Sequence, residues 1–374
     1  MIWKDGTRKA GLLCLWTVCS LPLLAQTASY SANVGGVLFG QGWTSEIGTM
    51  YQRFPERAQG KVPDGVWTLS KNPAGLNVRF RTDATTIEVR YVLTSSGGAQ
   101  RYSNMPATSQ SGVDLYVRTK DGGYYWVSSQ KRFSFGTTTT YTYSHLNPRG
   151  VSDEDMCEYV LYFPLYNGVR SMQVVVSETN RFEYLKVPDD DAPIVVYGSS
   201  IVQGASASRP GMAWPAIVGR ETDSNVINLG FSGSAMMERS LFDMMSELTR
   251  AKLFILDPVP NIKISPGSIV SRTLEGVRQL RSATDAAILL VETLGSANRA
   301  MQPYEENRDR IANARLKEAY RAIQAEGIAN VYYLTEDEIG LTEDGMIEGT
   351  HPNDIGMRQY ADAYVAKIRH ILGK

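Results

Sequence analysis

Cysteine and histidine are scarce in this sequence, since each occurs three times in 374 residues. Two of the cysteines, Cys14 and Cys19, fall in an N-terminal segment that we predict to be cleaved, which leaves Cys157 alone. A mature chain with a single cysteine cannot form an intramolecular disulfide, and a cysteine-based metal site is excluded as well. The scarcity of histidine limits the candidates for a general base to His145, His351 and His370.

The chain also lacks an excess of charge of either sign. Its formal net charge is -1 and it has no long run of lysine and arginine, so we predict no nucleic-acid partner. Hydrophobic residues make up 43% of the sequence, which is ordinary for a globular protein. A length of 374 residues favours two domains over one.

Long apolar segments are absent except at the N-terminus. Basic residues precede an apolar run over residues 10–25, and small residues follow it. This order is typical of a secretory signal peptide, which we place at residues 1–28. Ser20 and Pro22 interrupt the run, which is too short for a membrane span. We therefore predict an exported protein, periplasmic or extracellular, with no transmembrane segment beyond the signal peptide.

From about residue 37 to residue 183, apolar and polar residues alternate and turn residues separate the runs. The predicted strands include Asn77–Thr82, Thr86–Val92, Val113–Arg118 and Met172–Ser177. Many short strands at regular spacing indicate a β-sandwich of the jelly-roll type, which we place at residues 29–188. The 20 tyrosines and six tryptophans suit such a core, and a sugar-stacking surface is an alternative use for some of them.

Beyond the polar, proline-flanked segment 187–193 the pattern changes to strands that alternate with helices. The predicted strands are Ile194–Tyr197, Val226–Leu229, Leu253–Leu256, Ile288–Val291 and Val331–Leu334. The predicted helices are Met212–Glu221, Met236–Arg250, Ser268–Ser282, Glu306–Ala325 and Asp354–Leu372. This alternation predicts a parallel sheet between two helical layers, an α/β domain that we place at residues 189–374.

The first strand of that domain ends abruptly at Gly198, and Ser199 and Ser200 follow. A buried strand that runs into a tight turn lies at the carboxyl edge of a parallel sheet, where open α/β sheets bind their ligands. A serine in that turn is a candidate nucleophile. The alternative is a glycine-rich turn with capping serines, because serine is common at turns and helix N-termini.

A nucleophilic serine needs a base, and His351 is the best placed of the three histidines. It lies in a loop that leads into the last helix, and Glu348 precedes it by three residues. An acid at this spacing can hold the ring and stabilise the imidazolium that forms when the serine proton moves. The alternative for His351 is an ordinary residue at the start of the helix. We expect His145 in a surface turn and His370 on the polar face of the last helix.

Two further loops follow the next two strands of the predicted sheet. Gly233 comes after the second strand, and Asn261 comes after the third. A glycine N–H and an asparagine amide could supply donors to an oxyanion beside the N–H of Ser200. Each residue alone is also typical of an ordinary turn.

Gly198-Ser199-Ser200-Ile201, Gly233, Asn261 and His351 resemble, in order and spacing, the four sequence blocks of the SGNH (GDSL-type) hydrolases. The resemblance implies a flavodoxin-like three-layer α/β/α catalytic domain. It also implies that Ser200 is the nucleophile, that His351 is the base, and that the oxyanion hole is formed by Ser200, Gly233 and Asn261. Glu348 takes the place of the family's acid, which completes a triad.

The stretch Gly112-Val113-Asp114-Leu115-Tyr116 resembles the GxDLY signature of an N-terminal β-domain. That domain precedes an SGNH domain in a bacterial esterase family, so the likeness covers nearly the whole mature chain. We predict structural roles for Asp114 and Tyr116. Arg209 and Trp214, just after the nucleophile turn, are candidate substrate-binding residues, with helix capping and packing as the alternative roles.

The sequence departs from the family pattern at two positions. Ser199 stands where the family usually has aspartate, and Glu348 stands where it usually has an aspartate three residues before the histidine. The longer stem of Glu348 leaves three nearby acids as alternative partners of His351, namely Glu343, Asp344 and Asp354.

These observations predict a secreted serine esterase that hydrolyses O-acyl, most of all O-acetyl, esters on a carbohydrate through an acyl-enzyme. Neither a metal nor a cofactor is expected, and the partner is an acylated glycan or another small ester. A lipase or thioesterase of the same family acting on lipid acyl esters is one alternative. A non-catalytic carbohydrate-binding protein is another.

Overall fold

The computed structural model describes residues 26–48, 50–95, 100–130, 134–152, 155–295 and 299–373. The predicted signal peptide lies outside the described residues except for its last three positions, and so do Cys14 and Cys19. Among the helices of the described ranges, none is both long and apolar enough to cross a membrane. Cys157 is buried, and its thiol donates to Pro148 O at 3.1 Å.

The N-terminal half is a β-sandwich, as predicted. Its strands are β1 (Thr27–Ser31), β2 (Leu38–Phe39), β3 (Asn77–Thr82), β4 (Ile87–Leu93), β5 (Asp114–Arg118), β6 (Tyr124–Val127), β7 (Thr139–Tyr143), β8 (Cys157–Tyr162), β9 (Val169–Ser177) and β10 (Phe182–Tyr184). One antiparallel sheet has the order β1-β9-β4-β7, and the other has the order β10-β3-β8-β5-β6 with β2 beside β3. The alternating pattern puts Val89, Leu115 and Val174 in the buried core of the sandwich.

Short helices interrupt this half, and part of it packs elsewhere. They are α1 (Thr44–Ile47), α2 (Asp64–Ser70) and α3 (Ala107–Gln110). Trp43, Phe54 and Val66, from the segment around α1 and α2, are buried in the core of the C-terminal domain. The predicted boundary at residue 188 remains a prediction, and this packing shows that a segment before it contributes to the core of the domain after it.

The C-terminal half is built on a parallel sheet, as predicted. Its strands are β11 (Ile194–Gly198), β12 (Val226–Gly230), β13 (Leu253–Asp257), β14 (Ala287–Val291) and β15 (Val331–Leu334). Their order is β12-β11-β13-β14-β15, which is the flavodoxin-like order. The chain reverses its direction across the sheet beside β11, and this reversal opens a crevice at the carboxyl ends of the strands, where such folds bind ligands.

Helices cover both faces of this sheet. They are α4 (Ser200–Gln203), α5 (Trp214–Glu221), α6 (Arg239–Met245), α7 (Val259–Ile262), α8 (Ile269–Ala283), α9 (Pro303–Ala325), α10 (Glu336–Ile339) and α11 (Asp354–Leu372). On one face, α5 and α11 bury apolar residues such as Ile217 and Ile368. On the other face, α6, α8 and α9 bury Phe242, Leu280 and Leu316. The three-layer arrangement agrees with the prediction.

The helix predicted over Met236–Arg250 is shorter in the structure, where α6 spans Arg239–Met245. The N–H of Met237 donates to the Tyr197 hydroxyl at 2.9 Å, and Met237 has a φ of 58°. This left-handed residue prevents a helix from starting earlier. The contact between Met237 and Tyr197 of β11 therefore overrides the local helical pattern.

A buried acid lies at the end of β13. The Tyr364 hydroxyl donates to Asp257 Oδ2 at 2.8 Å, and the Asp257 side chain is fully enclosed. Burial raises the pKa of Asp257 to about 8, although the hydrogen bond from Tyr364 acts to lower it. At neutral pH the folded protein therefore holds this carboxyl group as the neutral acid.

We expect Asp257→Asn to make the protein more stable than the wild type at pH 8 but not at pH 5. The folded state keeps a proton that the unfolded state releases, so the wild type loses stability as the pH rises through this range, by up to about 1.4 kcal/mol per pH unit. Asparagine has no proton to lose and keeps an acceptor for Tyr364. Denaturant unfolding of both proteins at the two pH values measures the difference. Asp190→Asn, at an exposed position of the linker, is the control. The same change in the free energy of unfolding between pH 5 and pH 8 for wild type and Asp257→Asn would contradict the raised pKa of Asp257.

Candidate active site

The turn between β11 and α4 presents Ser200 at the carboxyl edge of the sheet. Ser200 is the first residue of α4, so its N–H has no partner within the helix. The Ser199 side chain caps this helix by accepting the N–H of Ile201 at 3.3 Å. Ser199, which stands where the SGNH pattern has aspartate, therefore serves as the N-cap of α4.

Ser200, His351 and Glu348 come together although the first two are 151 positions apart in the sequence. Ser200 Oγ lies 2.8 Å from His351 Nε2, and the opposite ring nitrogen, Nδ1, contacts Glu348 Oε1. One nitrogen is thus available to accept the serine proton while the other donates to a carboxylate. This is the geometry of a serine nucleophile with an oriented base.

The carboxylate of Glu348 is held from several directions. Its Oε2 accepts the N–H groups of Thr350 at 2.9 Å and His351 at 3.4 Å. Its Oε1 accepts from the His351 ring and, at 3.2 Å, from the side-chain amide of Asn104. Burial acts to raise the pKa of Glu348, but the hydrogen bonds and the nearby His351 ring outweigh it and lower that pKa. Glu348 is therefore ionised at neutral pH and accepts from the ring.

The other nearby acids do not contact the His351 ring. Asp354 Oδ1 accepts the N–H of Ser208 at 2.8 Å, while Glu343 and Asp344 are exposed. His145 and His370 are also exposed, as predicted. In the part of the chain that the structure describes, no cluster of three or more histidine, cysteine or acidic side chains could hold a metal ion.

The loops after β12 and β13 meet beside this turn. Asn261, in α7, donates its side-chain amide to Phe231 O and Ala235 O, both at 3.2 Å. Gly233 lies in the loop between those two acceptors, with a φ of 63° that favours glycine. The structure therefore brings Asn261 to the loop of Gly233, but in this state the amide holds the loop. Ser232, in the same loop, donates its N–H to Gln203 at 3.0 Å.

Arg53 is a residue near the site that the sequence analysis missed. Its guanidinium is buried under the same loop, donates to Gly230 O at 2.5 Å and Asn228 O at 3.2 Å, and lies 4.6 Å from the Phe231 ring centroid. Burial lowers the pKa of Arg53 to about 9, which leaves it cationic at neutral pH. The segment around Arg53 carries no motif, so only the three-dimensional structure reveals this support.

The GxDLY stretch docks the β-domain onto the segment that follows α4. Asp114 accepts the N–H of Gly211 at 3.0 Å, and its Oδ2 lies 3.2 Å from Arg209 Nε. The indole N–H of Trp126 donates to Asp114 Oδ1 at 2.6 Å. A side chain at Gly112 would meet Thr108 O at 2.3 Å, which explains that glycine. The structure is thus consistent with the structural role predicted for Asp114.

The two candidate substrate-binding residues lie in different environments. Trp214 is fully buried and stacks on Tyr364 with ring centroids 4.0 Å apart, so it does not reach the site. The structure therefore supports packing, the alternative role given for Trp214, because the first turn of α5 places the indole in the core. Arg209 lies at the domain junction, over the Trp126 ring at 4.4 Å. Substrate binding by Arg209 stays a prediction.

Comparison with known proteins covers both halves of the chain. A model of the "GDSL-like Lipase/Acylhydrolase family" matches residues 191–369. A second model, the "N-terminus of Esterase_SGNH_hydro-type", matches residues 29–182. None of the curated proteins matches the chain.

Several solved structures are similar along nearly the whole chain. A protein described as a GDSL-like lipase from Bacteroides ovatus ATCC 8483 is 30% identical, with a TM-score of 0.81 over 93% of this chain and 98% of that chain. The salicylyl-acyltransferase SsfX3, from a tetracycline biosynthetic pathway, is 16% identical with a TM-score of 0.71 and the same coverage. A family two carbohydrate esterase from Cellvibrio japonicus is 11% identical, with a TM-score of 0.55 over 94% of this chain and 99% of that chain.

Proposed function

Because the chain belongs to the GDSL-like lipase and acylhydrolase family, with the N-terminal domain of SGNH-type esterases, we propose that it is a serine esterase that removes O-acetyl groups from a carbohydrate. The observation that carries the chemistry is the 2.8 Å contact between Ser200 Oγ and His351 Nε2, with the other ring nitrogen on Glu348. The nucleophile is Ser200, the base is His351, and the residue that orients the base is Glu348.

The proposed reaction proceeds in two halves. Ser200 Oγ attacks the ester carbonyl carbon while its proton passes to His351 Nε2. The tetrahedral intermediate collapses, the alcohol leaves with the proton from His351, and the acyl group remains on Ser200. Water, deprotonated by His351, then attacks the acyl-enzyme, the bond from the acyl carbon to Ser200 Oγ breaks, and His351 returns the proton to Ser200 Oγ as the acid leaves.

The oxyanion of each intermediate needs donors that are already in place. The N–H of Ser200 lies in the first turn of α4, where it has no acceptor within the helix, and the loop of Gly233 follows the neighbouring strand. We assign the N–H groups of Ser200 and Gly233, with the Asn261 amide, to this task. The two hydrogen bonds that the Asn261 side chain donates, both at 3.2 Å, are at the long end of the usual range. A hydrogen bond to a charged oxygen is about twice as strong as one to a neutral oxygen, so the oxyanion can compete for this donor.

We expect Asn261→Ala to lower kcat by about 10²–10³-fold with little change in KM, because the charge exists only in the transition state. Steady-state kinetics on p-nitrophenyl acetate measures both constants. Asn313→Ala is a matched control, because Asn313 is a buried asparagine whose amide holds another loop, at Thr293, through two 2.9 Å bonds. If the control lost as much kcat, or if Asn261→Ala changed KM alone, the oxyanion role would be wrong.

The carbohydrate substrate is supported by likeness in fold. The Cellvibrio japonicus neighbour is a family two carbohydrate esterase and spans both domains of this chain. An exported location, which we also propose from the N-terminal sequence, would bring the enzyme to extracytoplasmic glycans. N-terminal sequencing of the exported protein tests this location. Cleavage after residue 28 would remove the first two residues of β1.

The experiment that tests the function compares acyl chain lengths and then acetylated sugars. We expect kcat/KM for p-nitrophenyl acetate to exceed that for the decanoate by at least about tenfold, and acetate to be released from acetylated oligosaccharides. Ser200→Ala supplies the baseline. Preference for the decanoate would favour a lipid ester, and sugar binding without acetate release would favour a non-catalytic protein. Product analysis with an added alcohol distinguishes hydrolysis from acyl transfer.

A further inference from the structure

The β-domain reaches into the proposed catalytic site through the loop that precedes α3. Asn104 Nδ2 lies 3.2 Å from Glu348 Oε1 and 3.5 Å from His351 Nδ1. Because that ring nitrogen donates to Glu348, its proximity to the amide is a packing contact, and the carboxylate is the acceptor. One residue of the β-domain thus contacts the acid of the triad directly.

This contact completes the hydrogen bonding of Glu348. A carboxylate has two oxygens with about four acceptor positions. Three donors come from the turn of the acid itself, namely the N–H groups of Thr350 and His351 and the His351 ring. Asn104 is the fourth donor and the only one of these four outside that turn.

The loop that carries Asn104 is held on both sides. The side-chain oxygen of Gln110 accepts the N–H groups of Arg101 and Tyr102 at 2.7 and 3.1 Å, and its amide donates to Met105 O at 2.8 Å. Met105 is buried in the core that covers one face of the catalytic sheet. The backbone on either side of Asn104 is therefore fixed. The Asn104 side chain consequently loses little further conformational entropy when its amide donates to the Glu348 carboxylate.

The extra methylene of Glu348 makes its carboxylate harder to hold in place, which explains why a further hydrogen-bond donor is useful here. Glutamate has one more rotatable bond than the aspartate usual in this family, so more side-chain entropy must be lost to hold its carboxylate against the ring. Glu348 is also about one-third exposed, and water competes for its oxygens. A donor from outside the turn restricts the longer side chain and excludes water from one acceptor position.

We infer that Asn104 is a positioning residue of the esterase, through which the β-domain holds Glu348 in line with His351. This inference rests on the proposed function. It makes the β-domain a part of the active site and not only a support for the fold.

A double-mutant cycle tests the inference. We expect Asn104→Ala to lower kcat on p-nitrophenyl acetate by about ten- to thirtyfold with KM nearly unchanged, the scale expected for losing one hydrogen bond to a charged group. In the Glu348→Gln background the same change should cost less than about twofold, because the carboxylate that Asn104 positions is gone. Asn104→Asp should lose more than Asn104→Ala, because it places a second carboxylate against Glu348. Ser103→Ala, an exposed neighbour, is the control.

The rate at which a fluorophosphonate labels Ser200 is measured for the same variants, because this reaction requires the activated serine but no particular ester. Equal losses from Asn104→Ala with and without the Glu348 carboxylate would indicate a merely structural effect and overturn the inference. Activity and labelling within about twofold of wild type in both Asn104 variants would overturn it as well. Normal labelling without acetate release from any sugar would count against the proposed substrate only, and the labelling rates would still decide the role of Asn104.

Discussion

Ser200→Ala is expected to reduce ester hydrolysis by about 10⁴–10⁶-fold, to the level of the residual catalysis that binding and oxyanion donors provide. The change removes the attacking oxygen, which lies 2.8 Å from His351 Nε2. The fold should be retained, because Ser199 and not Ser200 caps α4. Steady-state kinetics and thermal unfolding of the purified variant measure the two effects separately.

Labelling by a fluorophosphonate distinguishes Ser200 from the serine most easily confused with it. Ser232 follows the next strand in a Gly-x-Ser-Gly-like turn, where its N–H donates to Gln203, its carbonyl oxygen accepts from Ser234 and its side chain bonds to Tyr166 rather than to a histidine. We expect Ser232→Ala to be labelled and Ser200→Ala not to be. The opposite pattern would show that the nucleophile has been assigned to the wrong serine.

Glu348→Gln is expected to lower kcat by about 10²–10⁴-fold, less than the loss of Ser200, because an amide neither stabilises the imidazolium nor ensures the correct ring tautomer. The shape of the side chain is kept, so the hydrogen bonds of the turn have an acceptor in the amide oxygen. Activity as a function of pH and substrate concentration gives kcat for both proteins.

Asp344→Asn is the matched control for this change, because Asp344 is an exposed acid of the same loop. We expect its kcat to stay within about threefold of the wild type. A flat response at Glu348 would reduce the site to a serine–histidine dyad whose ring is oriented by another group. The contact of the carboxylate with the ring in the structure is the reason that we expect a large effect.

Features that are local in the sequence were predictable. The bounds of β3 and β15 agree with the predicted strands, and α11 spans the predicted residues. Ser200, His351 and Glu348 were singled out by a strand end, by a short motif that carries the acid and the base together, and by the family resemblance. The structure brings the three side chains together, and their catalytic roles stay predictions. The pattern of apolar residues along one element is enough to predict the bounds of that element, and a short motif is enough to single out neighbouring site residues.

Contacts between distant segments were not predictable where no motif marks the residues that make them. Asn104 lies 244 positions from Glu348, and nothing in its local sequence points to the catalytic loop. Arg53 looks like an ordinary surface arginine in the sequence, yet its charge is buried and bonded to carbonyl oxygens of two segments. The position of Trp214 after the nucleophile left both substrate binding and packing open, and the direction of α5 decides that the indole packs inward.

The segment that carries Trp43, Phe54 and Val66 limits how this protein can be recombined with its relatives. Those side chains fill the core beneath the catalytic sheet although they precede the sandwich strand β3 in the sequence. A chimera joined at the linker near residue 188 would combine this segment from one parent with a sheet from another, and mismatched volumes in a packed core cost about 1–3 kcal/mol per site. An exchange of β-domains should therefore leave residues 43–66 with the catalytic half against which they pack, while β1 and β2, on the other side of this segment, go with the sandwich.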